Sequence, residues 1–502
     1  MKRALALLVG GVLVLGSVLT AYAQAPTVSF GGQMRVYGFT MNNISDFRDS
    51  DKGQFRDSNS FYFQRFRLFT TIESADKKAR AYWALEIGDI VWGAGGGASG
   101  GEFGCVGTAP IVNPTVTVPP PAGSPPGTPP TTATVTSGTP GAGTRVGNGS
   151  GGCFGNDGVN VETKNIYLWF DTSEWVPGTS VLLGIHNVVF LNSPWGGFLD
   201  DDAAGIQLNW KGDPVDVQFW TAKVSEGNAP CNPGFPANSC TANADDVDMY
   251  TLRVGVNLTK DLRLTLEGLV VNNNNLAGHD FGDTFWVGGT VAAKVATINL
   301  DGGFVYGQRK LPRTGGGALA EEKGWGLYAI ARAPVGPVSV NAIGWYTSGD
   351  STRGPCGQTP AAKACNGNGP LTKDSDKLPV PVTGSSWDAG GMPFIGEFVM
   401  GSPTIGNPSV GQDLYNDPSG TYGFGASAQF AVTPAISIGG GGAFILATDA
   451  DSPKWGSNVF EIDGGVIYKF NANLTITGLA GYMIPDSGDN AWALAFRTQF
   501  AF

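Results

Sequence analysis

The sequence predicts an all-β fold: a transmembrane, antiparallel, up-and-down β-barrel of about eighteen strands, with about sixteen as the alternative count. Three observations carry that expectation. The chain ends on an alternating strand, Ala491 to Phe502. One face of it is Trp492, Leu494, Phe496, Thr498, Phe500 and Phe502, and the other is Ala491, Ala493, Ala495, Arg497, Gln499 and Ala501. The chain begins with basic Lys2-Arg3, an apolar or small run from Ala4 to Thr20, and a small-x-small site at Ala21-Tyr22-Ala23. Between these ends, period-two segments are joined by connections that alternate short and long. A strand with an oily aromatic face and a small or polar face suits a wall between lipid and water.

The N-terminal pattern marks residues 1–23 as a secretory signal peptide, with Gln24 as the first mature residue and 24–502 as a single barrel domain. A retained anchor is the competing reading. It is disfavoured because the apolar run is short and a cleavage site follows directly. Beyond Thr20 no stretch approaches an apolar spanning helix, so any membrane crossing falls to strands. Gly makes up 76 of 502 residues, 15% are charged and 11% aromatic, which fits glycine-softened strands with aromatic girdles. Loss of Lys2 and Arg3 with the signal takes the formal charge from −11 to −13, which disfavours nucleic acid as a partner.

Short connections fall at Ser74–Lys78, Ser173–Thr179, Lys211–Pro214, Thr259–Asp261, Pro334–Pro337, Thr433–Pro434, Asn471–Asn473 and near Lys294. Long ones fall at Met41–Ser60, Gly93–Asn160, Asn192–Ala203, Ser225–Val247, Asn272–Asp283, Arg309–Lys323, Gly349–Ser419, Thr448–Asn458 and Pro485–Asn490. One end of the molecule therefore carries clipped turns and both termini, and the other carries excursions. Within strands the alternation is clear: Leu262, Leu264, Leu266 and Val270 oppose Arg263, Thr265 and Glu267. Likewise Ile298, Leu300, Phe304 and Tyr306 oppose Asn299 and Asp301. A soluble sandwich could alternate in the same way, but its chain rarely stops on the core face with a bare Phe.

The C-terminal pattern, with Phe500 and terminal Phe502, is similar to the closing signature of Gram-negative outer-membrane barrels. That resemblance implies recognition by the barrel-insertion machinery. The segment Phe61 to Gly93, F-Y-F-Q-R-F-R-L-F-T-T-I-E-S followed by A-R-A-Y-W-A-L-E-I-G-D-I-V-W-G across a short turn, resembles the second and third strands of Gram-negative porins. Alginate-export-like barrels carry similar hairpins, and Met34 to Phe39 is similar to a porin first strand. The resemblance implies outer-membrane lipid as surroundings, short periplasmic turns and long extracellular loops. It also implies passage of small hydrophilic solutes or ions, with a homotrimer as the common assembly.

On this parity Arg35, Arg65, Arg67 and Arg80 point into the lumen from the first three strands, and Arg497 from the last. The last strand must pair with the first if the barrel closes, so the five guanidiniums form a positively charged stripe for anionic solutes. Glu86, Arg253, Arg263, Glu267, Asp301, Glu461 and Asp463 are the other pore-lining candidates. Lys223, Lys294 and Lys469 read as interface residues. The long connections 93–160 and 349–419 hold the remaining features. Trp387 to Met400 is too apolar for a solvated loop: folded inward it narrows the pore with Glu397 as the constriction candidate, and otherwise it caps the mouth or meets a neighbouring subunit. Six cysteines in an exported chain read as disulfides, Cys105 with Cys153, Cys231 with Cys240 and Cys356 with Cys365, although other pairings are open to six cysteines. The Pro/Thr/Gly tract from Val112 to Gly149 is expected to be extended or disordered.

Loop acids Asp200-Asp201-Asp202, Asp245-Asp246 and Asp449–Asp451 complete no calcium spacing, and the cysteines no zinc spacing, so no metal is expected. No cofactor is implied. Only His186 and His279 could serve catalysis, with no nucleophile motif beside either, so no enzyme is expected. The reading is a channel for passive diffusion of small hydrophilic solutes, with anion bias. Its alternatives are the barrel sleeve of an electron conduit, whose haem a partner would supply since no C-x-x-C-H is present, and a surface adhesin or receptor.

Overall fold

The computed structural model describes residues 25–43, 59–91, 115–118, 131–134, 161–193, 196–225, 247–273, 282–312, 319–350, 374–379, 420–449 and 456–502. Residues 1–23, the six cysteines, Asp245-Asp246, His279 and Trp387 to Met400 with Glu397 lie outside them.

The barrel opens with β1 (Thr27–Asn42), β2 (Asn59–Glu73) and β3 (Ala79–Val91). A separate two-stranded ladder, β4 (Thr115–Val118) with β5 (Thr131–Thr134), interrupts it. The wall resumes with β6 (Val161–Asp171), β7 (Thr179–Ser193), β8 (Gly196–Lys211), β9 (Val215–Ser225), β10 (Val247–Thr259) and β11 (Leu262–Asn273). It continues with β12 (Thr284–Val295), β13 (Ile298–Pro312), β14 (Leu319–Val335) and β15 (Val338–Thr347). It ends with β16 (Thr421–Ala431), β17 (Ile436–Ala447), β18 (Asn458–Lys469), β19 (Leu474–Pro485) and β20 (Ala491–Ala501). The eighteen wall strands form one sheet, each antiparallel to its neighbour, and β20 pairs with β1 from Gln33↔Ala501 to Asn42↔Trp492. The sheet is thus a closed barrel with no free edge.

The seam is sealed at the terminal residue. Gly32 N–H donates to the Phe502 carbonyl at 2.9 Å, and Phe502 N–H donates back to the Gly32 carbonyl at 3.0 Å. A Cβ on Gly32 would stand 2.6 Å from the Phe502 ring and 2.5 Å from the Arg67 carbonyl oxygen, so this position needs glycine. The Phe502 ring also stacks on Phe66 at 6.3 Å.

The two faces of the wall separate cleanly. Leu252, Leu266, Phe304, Leu327, Phe424, Ile462 and Leu494 are exposed on the outside, Leu266 by 67%. Polar side chains lie buried on the alternate positions, among them Arg65, Glu86, Asn165, Glu267, Ser427 and Thr477. An oily skin over a polar inner face is the arrangement of a membrane barrel, because lipid cannot hydrogen-bond and the ladders already satisfy the backbone.

Three sequence expectations are corrected. Asn192–Ala203 is not a long connection: β7 and β8 run through it and pair up to Ser193↔Gly196. Asp200, Asp201 and Asp202 therefore sit on strand β8. Arg309 and Glu322 likewise belong to β13 and β14, which pair to Pro312↔Leu319. The Pro/Thr-rich tract includes the β4–β5 ladder, from Thr115↔Thr134 to Val118↔Thr131. In each case polar or small residues hid a ladder whose stability comes from its partner strand rather than from propensity.

Candidate functional site

The inner face of β20, β1, β2 and β3 is built by register. Arg35 on β1 stands directly opposite Arg65 on β2 and Gln499 on β20, while Tyr37 stands opposite Arg497. Arg67 faces Gln33 on one side and Glu86 on the other. Glu86 sits between two guanidiniums, with Arg65 Nε at 3.4 Å from one carboxylate oxygen and Arg67 Nε bonded to the other. Arg35 donates to Gln33 Oε1 at 2.7 Å and to Tyr37 Oη at 3.2 Å, both neutral acceptors. Four arginines thus gather on three adjoining strands, and among the described residues Glu86 is the carboxylate set between Arg65 and Arg67.

Below this group Arg80 on β3 pairs with Glu73 at 3.0 Å and lies over the Trp169 ring at 5.3 Å. Both Arg80 and Glu73 are part-exposed, so the pair contributes about 1 kcal/mol or less. Three inward rings stack alongside: Phe69 on Tyr82 at 6.3 Å, and Tyr82 on Tyr167 at 5.0 Å. This platform was missed in the sequence because the register that stacks rings from three strands is a tertiary fact.

The other sequence candidates also face inward, but most are already partnered. Arg253 on β10 pairs with Glu267 on β11. Arg263 crosses Gly255 to grip both oxygens of Asp216, at 2.9 and 2.7 Å. Asp301 on β13 lies diagonal to Arg332 on β14, across the Asn299↔Arg332 and Asp301↔Ile330 steps. Glu461 and Asp463 on β18 are buried; Glu461 faces Ala443 on β17 and Met483 on β19, and Asp463 faces Gly441 and Gly481. They stand two strands from Arg497, on the same stretch of wall. Lys223 pairs with Asp248 at 3.2 Å.

Two segments fold against the inner wall. The upper β7–β8 hairpin leaves its neighbours and carries Phe190, Leu191, Phe198 and Leu199 into the barrel, each at most 1% exposed. The strap 374–379, part of the long connection 349–419, lies on β12 and β14. Ser375 N–H donates to the Glu321 carbonyl at 2.9 Å, Lys323 N–H to the Ser375 carbonyl at 2.9 Å, and Trp286 Nε1–H to the Pro379 carbonyl at 2.8 Å. Gly324 makes room for it, since a Cβ there would stand 2.6 Å from the Lys377 carbonyl carbon. Beneath the strap Arg309 and Glu322 form a buried pair at 2.5 Å, which sequence reasoning missed by assigning both to a loop.

No protein-family profile and no curated protein matches the chain. Solved structures do. A BenF-like porin from Pseudomonas fluorescens superposes with a TM-score of 0.51 at 11% identity, covering 95% of this chain and 98% of that one. The chain folds as an outer-membrane porin barrel. The OpdK porin of Pseudomonas aeruginosa, solved with vanillate, is also similar, at TM-score 0.49 and 10% identity over 94% of this chain and 98% of that one. OccK8 (OprE) of the same organism gives 0.49 at 11% identity, over 95% and 98%. The apolar exterior of that barrel places the wall in a membrane.

Proposed function

We propose that this porin barrel is a water-filled channel for passive diffusion of small hydrophilic solutes, biased toward anions. The observation that carries the bias is the arginine group on β20, β1 and β2, four guanidiniums on adjoining strands, of which Arg35 and Arg497 are set against neutral partners. Each guanidinium stays ionised and can pass an anionic oxygen to the next through charge-assisted hydrogen bonds. The Phe69–Tyr82–Tyr167 platform beside Arg67 and Arg80 also suits anions that carry a planar ring. In the same reading residues 1–23 are removed on export, and the cysteines pair within their own loops. The mature barrel reaches the membrane through recognition of Phe500 and Phe502, and three copies assemble.

The test is single-channel recording from the refolded protein in a planar bilayer, with reversal potential in a salt gradient. Discrete conductance with anion preference is expected. Absence of conductance sinks the channel, whereas cation preference sinks only the role of the arginines.

A further inference from the structure

Arg253 and Glu267 sit where a pore-lining charge pair would sit, yet their bonds run elsewhere. The upper β7–β8 hairpin bends into the bore at a pair of facing glycines. Gly184 on β7 stands opposite Gly205 on β8. Gly184 has φ +128, and a Cβ on it would strike the Ile166 carbonyl; one on Gly205 would strike the Thr221 carbonyl. Both outer ladders stop at this level. The β6–β7 pairing ends at Ile166↔Ile185 and the β8–β9 pairing at Ala204↔Lys223, while the hairpin's own ladder continues to Ser193↔Gly196. Residues 186–203 therefore leave the wall as one unit.

β7 then meets β11, β12 and β13, strands with which it shares no ladder. Leu191, at φ +50, presses its side chain 2.7 Å from where a Gly288 Cβ would stand. The charge pair grips this turn. Arg253 Nη2–H donates to the Val189 carbonyl at 3.1 Å and Nη1–H to Gln218 Oε1 at 3.0 Å, while its Nε pairs with Glu267 Oε1. The second Glu267 oxygen accepts the Leu191 N–H at 2.7 Å, and the Glu267 side chain is 1% exposed.

We propose that Arg253 and Glu267 are positioning residues that set the calibre of the bore by holding the β7–β8 hairpin against β11 and β12, without touching solute. This rests on the channel reading. Removing one partner leaves the other's charge uncompensated, buried in the case of Glu267, and frees the backbone group it held. The hairpin then loses one of the two backbone bonds that tie Val189 and Leu191 to the wall.

The test is single-channel conductance and reversal potential of Arg253→Gln, Glu267→Gln and Arg253→Lys beside wild type. Both Gln variants should raise conductance about two-fold and admit larger neutral solutes, with unchanged reversal potential. Arg253→Lys keeps the ion pair but loses the guanidinium fork, so its conductance should fall between. Opposite shifts of reversal potential in the two Gln variants, at wild-type conductance, would assign the pair to the pore lining and overturn the proposal. So would lowered yield of folded barrel with wild-type conductance in the channels that form. If a Gln variant does not fold, Arg253→Lys decides alone, and wild-type conductance in it is an overturning result. A wild-type protein that does not conduct refutes the channel itself, a separate outcome.

Discussion

Arg35 and Arg497 differ from the other inward arginines in their company. Arg35 donates to Gln33 and Tyr37, and Arg497 faces Tyr37 and Thr477 across its two ladders, whereas Arg65 and Arg67 share Glu86. An unneutralised charge shapes the field in the bore more than a charge already facing a carboxylate. Arg35→Ser and Arg497→Ser should each lower the anion-to-cation permeability ratio by about two-fold, read from reversal potentials. Glu86→Ala should instead cost about 3 to 5 kcal/mol in folding free energy, because buried Arg65 and half-buried Arg67 lose the carboxylate they share. Urea titration in lipid vesicles measures that cost, and a loss under about 1 kcal/mol would show that Glu86 is not needed as their counterion. The identities and parity of these residues were legible from alternation alone. Which were paired was not, because Arg67 meets Glu86 through a β2–β3 register that the intervening turn sets.

At the scale of elements, the hairpin and the strap both dock on the inner wall. Both depend on glycines where backbone approaches backbone. Gly205→Ala would push a methyl into the Thr221 carbonyl and should destabilise the barrel by about 1 to 3 kcal/mol, read by urea unfolding in vesicles. Gly324→Val would displace the strap from β14, since its Cβ would enter the space of the Lys377–Leu378 backbone and Ser348. The outcome to look for is faster tryptic cleavage within 349–419 on intact cells, with the barrel itself still folded. Unchanged cleavage would mean the strap is held from elsewhere. The sequence singled out Trp387 to Met400 as the inward candidate, which lies outside the described residues, and the part of 349–419 that docks is 374–379. It missed the β7–β8 hairpin, because Asp200, Asp201 and Asp202 and the N-S-P-W-G-G stretch from Asn192 to Gly197 read as loop chemistry.

For the whole molecule the deciding property is the solvent on each side of the wall. Leu266 is 67% exposed near the middle of β11, so in water its replacement by Arg would cost little. In a bilayer Leu266→Arg should cost about 2 to 4 kcal/mol, because the guanidinium must be drawn from the hydrocarbon depth. Comparing urea midpoints in vesicles and in a detergent-free soluble state separates the cases, and a neutral effect in vesicles would refute the lipid-facing skin. Closure makes a second demand at this scale. Gly32→Val crowds the Phe502 ring and the Arg67 carbonyl together, so it should reduce the fraction of unboiled protein that runs as compact barrel on a gel.

Fold class, the number of wall strands, the eight short turns and the inward face of the charged residues followed from alternation and turn chemistry, both local properties of the chain. Hydrophobic parity is written residue by residue, because a strand sends neighbours to opposite faces whatever lies beyond it. What only the tertiary structure decided is the use of that inner face. It assigned Arg253 and Glu267 to each other and to the backbone of β7, brought Phe69, Tyr82 and Tyr167 into one stack, and left Arg35 facing neutral acceptors. Those outcomes depend on ladder register and on a strand pair that leaves the wall. Both are fixed by contacts between residues far apart in the chain, about which local periodicity carries no information.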